Sequence, residues 1–396
     1  MAERGREDAT EGSDPDWLEG GPPPLTPAER RRRRNILAFL VGLVVLVSAV
    51  SVVVNRSQHQ AAGSDPTPAP VSSSAPVPPA SPTTPGRRGP VVVSDRGAFA
   101  PELPDAVLFA RSADTVYRVE LRTGRVVATP GVGVASSGSA AFIAGRSQVI
   151  IRPWDTVPGV VVPDDGLPRE LTGLLREGVQ ALPGPPGQVW VSRDISSDRA
   201  ARMTLVNLSN GRVTSSVSGG GTFESDGRGG LLLSDVGGVW EASPQRLRRV
   251  TTGVVAAVGA HHYLLVNCDS SYQCTSSLFD RDTRKQRTLG PIDTSAVPQG
   301  SISPDGKHVA LIKTNPQGNA FVDVIRLASG KSVTTEPVSE DSLYAVTNML
   351  VWTPDSHYLF AMRRGELILI DPRTGRTLAP KLPMHDLLQL TWRPAS

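Results

Sequence analysis

The stretches VYRVELRTGRVV at 116–127, MTLVNLSNGRVT at 203–214, VDVIRLASGKSV at 322–333 and LILIDPRTGRTL at 367–378 share one pattern: two short apolar-alternating runs around a polar turn with glycine. In the first of them Tyr117, Val119 and Leu121 fall on one face and Arg118 and Glu120 on the other, the period-two signature of a strand. Glycine supplies the positive φ that a tight hairpin requires. VVVPDDGLPREL at 160–171 continues the series, and VWEASPQRLRRV at 239–250 and SSLFDRDTRKQRTL at 276–289 are weaker copies. The turn markers Gly124, Gly166, Gly211, Gln245, Lys285, Gly330 and Gly375 recur about every 42 residues.

Each unit also carries an earlier pair of strands. Gly300 to Gly306 leads into Lys307 to Ile312, and Met349 to Asp355 leads into His357 to Met362. Four strands in about 40 to 45 residues is the spacing of a propeller blade, in which radial repetition leaves few sheet edges open. The pattern predicts an all-β domain over 106–396, a seven-bladed β-propeller with four antiparallel strands per blade. The first unit has strands at 106–111, 115–121 and 125–129 with no partner before them. The terminal stretch 387–394 copies MLVWTP, the first strand of the last unit, and is expected to pair into the first blade and close the ring.

SPDGKHVAL at 303–311 and WTPDSHYLF at 352–360 resemble the W-S-P-D-G motif of TolB-like, YVTN-type and WD40-like propellers. The resemblance covers about 290 residues and implies the fold; propellers host many activities, so it implies no single one. Trp154-Asp155 sits in a different part of its repeat and does not mark the eukaryotic WD40 class.

Residues 36–54, ILAFLVGLVVLVSAVSVVV, are uncharged and almost wholly apolar, long enough at about 1.5 Å per residue to span a bilayer core as one N-terminal transmembrane helix. Arg30, Arg31, Arg32, Arg33 and Arg34 precede them, and the positive-inside rule keeps this end in the cytoplasm. A removable or twin-arginine signal peptide is the rival reading. The apolar run exceeds a signal h-region and His59-Gln60-Ala61 is a poor cleavage site, which favours a signal anchor. Residues 1–35 then form a disordered cytoplasmic tail, with eight acids before the arginines. Residues 55–105 form a Pro/Ser/Thr-rich linker, with nine prolines between 66 and 90 acting as a polyproline spacer. The expected localisation is the cell membrane, single-pass, with the propeller extracytoplasmic.

Composition sets limits on partners. The chain has 396 residues with 38 Gly and 35 Pro, and 41 Lys plus Arg against 38 Asp plus Glu, too balanced for a dedicated nucleic-acid binder. Only five of the cations are Lys, and the Arg, Ala, Gly and Pro usage points to a GC-rich, actinobacterium-like source. The two cysteines, Cys268 and Cys274, bracket a short loop and are expected to form a disulfide outside the membrane; a metal site that would recruit His261 and His262 requires groups at opposite ends of one strand. No G-x-S-x-G elbow, phosphate loop or H-E-x-x-H helix is present, and no cofactor or metal is expected.

One constellation remains. Aligning the second strands, VLFAR, VIIR, VWVSR, VALIK and LFAMR, puts Arg111, Arg152, Arg193, Lys313 and Arg363 at equivalent positions, with Asp235 and Asn267 in the other two units. They are expected to ring one mouth of the propeller and attract an anionic group; the plainer reading is solvated strand ends in an Arg-rich protein. The expected function is a non-catalytic binding or scaffold module in the cell envelope, contacting the cytoplasmic membrane through one helix and an envelope protein, peptide or anionic glycan through the propeller. The alternative is an envelope enzyme of hydrolase or lyase class with its site at the mouth.

Overall fold

The computed structural model describes residues 88–95, 103–132, 140–153, 158–177, 180–193, 201–271, 273–291, 299–315, 317, 319–338 and 349–394. The 36–54 segment, Arg30 to Arg34 and Trp154-Asp155 lie outside them. Among the described residues no helix is long and apolar enough to cross a membrane, and the helix Leu174–Glu177 is a single turn.

The fold is all-β, a propeller-like arrangement of antiparallel sheets. Four sheets are four-stranded meanders, over 140–170, 180–219, 222–251 and 351–378. An eight-stranded sheet consists of two such meanders, Val254–Val258 to Gln286–Pro291 and Gln299–Ile302 to Lys331–Pro337. Their first strands pair in parallel, with Ala257 opposite Gly300. The remaining sheet joins the two ends of the chain: Gln389–Pro394 is its innermost strand, followed by Ala106–Arg111, Thr115–Glu120, Arg125–Pro130 and Val91–Ser94. The expected closing pair is present, with Ala106 opposite Pro394 and Arg111 opposite Gln389. The fifth strand, Val91–Ser94, was not expected, since it falls within the 55–105 stretch read as linker; it runs antiparallel to Arg125–Pro130 on the outer edge.

First strands of successive sheets lie against one another. Gln389–Pro394 meets Ala140–Ala144, which meets Gln180–Pro183, which meets Thr222–Ser225; Val351–Trp352 lies between Gln299–Ile302 and Gln389–Pro394. Each sheet is therefore covered on both faces by its neighbours. That is why second strands such as Leu231–Asp235 and Leu359–Arg363 read as unbroken apolar runs rather than alternating ones. Fourth strands such as Val213–Gly219 and Lys331–Pro337 are mostly polar and almost wholly half-buried or exposed. Core clusters mix residues of adjacent sheets, as where Phe109 and Val116 pack with Phe142 and Ile151.

The repeated motifs have local structural work. In each of four third-to-fourth-strand hairpins the glycine, Gly124, Gly211, Gly330 or Gly375, takes φ between +67 and +73°. In the weaker copy at 276–289 the left-handed residue is Arg284, at φ +60°, one place before the expected marker Lys285. The Ser-Pro-Asp-Gly stretch is a turn clamp: His308 N donates to Ser303 Oγ at 3.0 Å, and that hydroxyl donates to Asp305 Oδ1 at 2.7 Å. Thr353 and Asp355 repeat it, with Tyr358 N donating to Thr353 Oγ1 at 3.0 Å. The residues that carry the family resemblance thus serve the turn between first and second strands.

The closing pair is fastened by a buried polar relay. Gln389 is fully buried; its Oε1 accepts from Arg111 Nε at 3.0 Å, and its Nε2 donates to Ala140 O of the next sheet at 2.6 Å. Gln389→Leu keeps the volume but removes both bonds and leaves a buried guanidinium short of an acceptor. It is expected to lower unfolding stability by about 2–3 kcal/mol, read by thermal or urea denaturation. An unchanged midpoint would show that the closing strand is held without this relay.

Candidate functional site

In an antiparallel meander the second-to-third-strand loops share one end with the sheet-to-sheet connections, and the third-to-fourth-strand hairpins share the other end with the first-to-second-strand turns. The five expected mouth cations do occupy equivalent ends of second strands: Arg111 ends Ala106–Arg111, Arg152 precedes the last residue of Gln148–Pro153, Arg193 follows Gln188–Ser192, Lys313 precedes the last residue of His308–Thr314 and Arg363 ends Leu359–Arg363. They do not form a solvent-facing ring. Arg111 and Arg152 are 1% and 5% exposed. Lys313 Nζ is 2.5 Å from Asp323 Oδ2, and Arg363 Nη1 is 3.5 Å from Glu336 Oε2; Arg193 is exposed.

A second strand is an interior strand of its sheet, and the first of them is also roofed at its end by the chain crossing from the preceding sheet. At Arg111 that chain is 384–388, and Leu388 N donates to the Arg111 carbonyl at 2.7 Å. Burial lowers the Arg111 pKa to about 10, which leaves the group cationic at neutral pH. Alignment of types along strands located these residues, but not their accessibility.

At the loop end of the first sheet lies a cleft of about 490 Å³ lined by Val91, Val93, Asp114, Tyr117, His385 and Asp386 among others. Burial, with the Asp114 and Asp386 charges behind it, raises the Tyr117 pKa and keeps the phenol neutral. Asp114 Oδ1 already accepts from Ser112 Oγ at 3.2 Å and Thr115 Oγ1 at 3.0 Å. This cleft can seat a small polar or cationic group. Cys268 and Cys274 lie at the same end on another sheet, directly paired across their strands and joined as a disulfide with Cα atoms 4.0 Å apart.

At the hairpin end, acids and arginines bind one sheet to the next. Arg281, with a side chain 5% exposed, donates to Asp226 Oδ2 at 2.5 Å and to the Asp226 carbonyl at 2.7 Å, and lies 4.5 Å from the centre of the Tyr263 ring. Arg284 donates to Glu241 Oε2 at 2.8 Å. Asp282 accepts from His261 and from Arg228, at 2.9 and 2.8 Å, which holds its carboxyl below the usual range. Between the first two sheets Asp164 takes Arg393 and Arg118.

With these acids engaged, the hairpins keep unpaired cations. The residue opening each fourth strand, or immediately before it, is Arg125, Arg169, Arg212, Arg246, Lys285, Lys331 or Arg376. Arg125 is paired with Glu120 at 3.6 Å. The other six side chains are exposed and make no ion pair among the described residues. Asp165 and Glu170 dilute the charge only beside Arg169. Sequence reasoning passed over this set although its signal stands in the quoted repeats, where a cation follows the turn glycine in Gly124-Arg125, Gly211-Arg212, Gly330-Lys331 and Gly375-Arg376.

No family model and no curated protein matches the chain. Among solved structures it is similar to a functionally unknown protein from Desulfotomaculum acetoxidans, at 11% identity and TM-score 0.47 over 73% of this chain and 98% of that one. It is also similar to TolB from Acinetobacter baumannii, at 14% identity and TM-score 0.40 over 73% and 82% of the two chains. An oligogalacturonate lyase in complex with manganese is similar at 13% identity and TM-score 0.43, over 67% and 81%.

His308 is the buried histidine of the turn clamp, 7% exposed, with neither ring nitrogen hydrogen-bonded and its ring stacked 6.5 Å from Trp352. Burial lowers its pKa, as it does that of His262. The unfolded chain therefore takes up protons near pH 6.5 that the folded chain refuses, so stability is full above that pH and falls as pH drops through it. The melting temperature is expected to fall between pH 7.5 and pH 5.5, above the range where the depressed carboxylates titrate, and His308→Phe to reduce that fall. An equal fall in the variant would remove His308 as its source.

Proposed function

We propose that the chain is a membrane-tethered, extracytoplasmic, seven-bladed β-propeller that binds an anionic partner in the cell envelope (a protein, peptide or glycan) without chemistry. The observation that carries the reading is the set of six exposed hairpin cations left unpaired while the acids around them are engaged between sheets. Such charges accelerate and orient association with an anion rather than stabilising the fold. Counting one four-stranded unit per hairpin gives the seven blades, with the terminal strand supplying the innermost strand of the first. The alternative, an envelope hydrolase or lyase, is favoured by one feature, the cleft beside Tyr117, Asp114, His385 and Asp386.

The full chain in phosphatidylcholine nanodiscs, titrated with dextran sulfate as the probe, tests the binding reading. Arg212→Glu, Lys331→Glu and Arg376→Glu together are expected to weaken binding about ten-fold and to flatten its salt dependence, with little change in melting temperature. Unchanged affinity would overturn the assignment of this end as the anion-binding surface.

The extracytoplasmic placement has its own test. A thiol-reactive dye applied to the denatured, unreduced chain from membranes is expected to find Cys268 and Cys274 unreactive, and reduction to lower stability by about 2 kcal/mol. Two free thiols in freshly isolated protein would place the domain on the reducing side.

A further inference from the structure

We propose that the hairpin end is a bilayer-docking surface, which lays the domain flat on an anionic lipid leaflet and turns the loop end outward. The proposal rests on the reading of this end as anion-binding and names the partner.

Three observations single out a lipid surface. The first is what stands beside the cations. Leu167, Val213, Leu247 and Leu378 are 58, 53, 44 and 38% exposed. Each lies within two residues of Arg169, Arg212, Arg246 or Arg376. They are four of the nine exposed large hydrophobics of the described chain. Exposed aliphatic side chains beside arginines are the composition of an interfacial surface, in which the aliphatic groups enter the headgroup boundary and the cations meet lipid phosphates. A glycan would be expected to meet aromatic platforms, and the exposed apolar groups here are aliphatic.

The second is placement. The cations come one to a hairpin, and every hairpin joins the third strand of its meander to the fourth, so all of them emerge at the same end of a closed circle of sheets. A partner touching Arg169, Arg212, Arg246, Lys285, Lys331 and Arg376 together must be flat on the scale of the whole domain. A bilayer is flat on that scale, whereas an extended peptide follows only part of the circle.

The third is charge. The acids of this end are held by turn amides or by arginines of the next sheet, as at Asp226, Asp282 and Asp305. What faces solvent at the hairpins is therefore mainly cationic, and its attraction to an anionic leaflet falls off within a Debye length, so docking requires close approach.

The test places an environment-sensitive fluorophore on the full chain in nanodiscs. The chain's own two cysteines are disulfide-bonded, so Ala328→Cys, in a hairpin, and Val236→Cys, a fully exposed position at the loop end, each introduce one reactive thiol. With nitroxide-headgroup lipid present, the label at 328 is expected to be quenched about three-fold more in discs containing about one-third phosphatidylglycerol than in pure phosphatidylcholine, and the label at 236 equally little in both. High salt should reverse the effect. Val213→Ser with Leu247→Ser should weaken quenching while leaving dextran sulfate binding unchanged, which separates a bilayer from a soluble polyanion. Equal quenching of the 328 label in the two lipids, or preferential quenching at 236, would overturn the proposal. If the 328 label stays unquenched while dextran sulfate still binds through the hairpin cations, the anion-binding reading stands and the bilayer is not its partner; if neither occurs, both fall. Far-UV circular dichroism and melting temperature confirm that each variant is folded.

Discussion

The antiparallel pairing of Gln389–Pro394 with Ala106–Arg111 is the constraint on which the rest of the structure depends. The first described strands after 103 would otherwise leave an apolar edge, and Phe109 and Leu108 would have no complete sheet to pack within. Pairing the C-terminal segment there puts residues separated by nearly the whole domain into one sheet, so loop-closure entropy is paid once for the complete circle. The Arg111, Gln389 and Ala140 relay then ties that closed sheet to the following one. A buried guanidinium is costly unless its donors find acceptors, and its presence at the seam makes the native register the one in which Gln389 stands opposite Arg111.

From closure follows a consistent division of labour across each sheet. Both faces of the inner strands are covered by neighbouring sheets, so second strands carry continuous apolar runs and the gradient of polarity runs outward to the fourth strand. Between sheets, apolar contact is supplemented at the hairpin end by ion pairs such as Arg281 with Asp226 and by Trp190 Nε1 donating to Gly229 O at 2.9 Å and Trp352 Nε1 to Ser301 O at 3.1 Å. These bonds connect sheets where side chains from two different repeats meet, a place at which neither repeat alone satisfies its polar atoms.

The two ends of the domain consequently differ in chemistry. At the loop end Arg111 is roofed by 384–388, Arg152 is buried and Lys313 and Arg363 are paired with Asp323 and Glu336, beside a cleft with Tyr117, Asp114 and Asp386. At the hairpin end the turns stand free, the acids are drawn inward to neighbouring sheets, and cations remain with aliphatic neighbours. A domain docked by its hairpins would present the cleft and the disulfide loop away from the bilayer, and the charge left over from assembly would then set its orientation.

Local pattern alone was enough to read much of this molecule. Alternation in VYRVELRTGRVV and the turn glycines identified the hairpins, because period two and positive φ are properties of a few consecutive residues. The repeat spacing and the resemblance of 387–394 to a first strand identified which ends must meet. Other features were decided only by tertiary packing. Arg111 and Arg193 hold equivalent places in equivalent strands, yet one is buried by a crossing segment and the other is not, and no local pattern encodes what crosses a strand end. Val91–Ser94 became a strand because the outer edge of the first sheet was available to it. Arg284 takes the left-handed turn position with its side chain bonded to Glu241 of the neighbouring sheet and lying over the Phe279 ring, contacts that the local sequence does not announce. The free hairpin cations were visible in sequence as types and spacing, but that they are free depends on where the acids go, and the acids are placed by contacts between sheets.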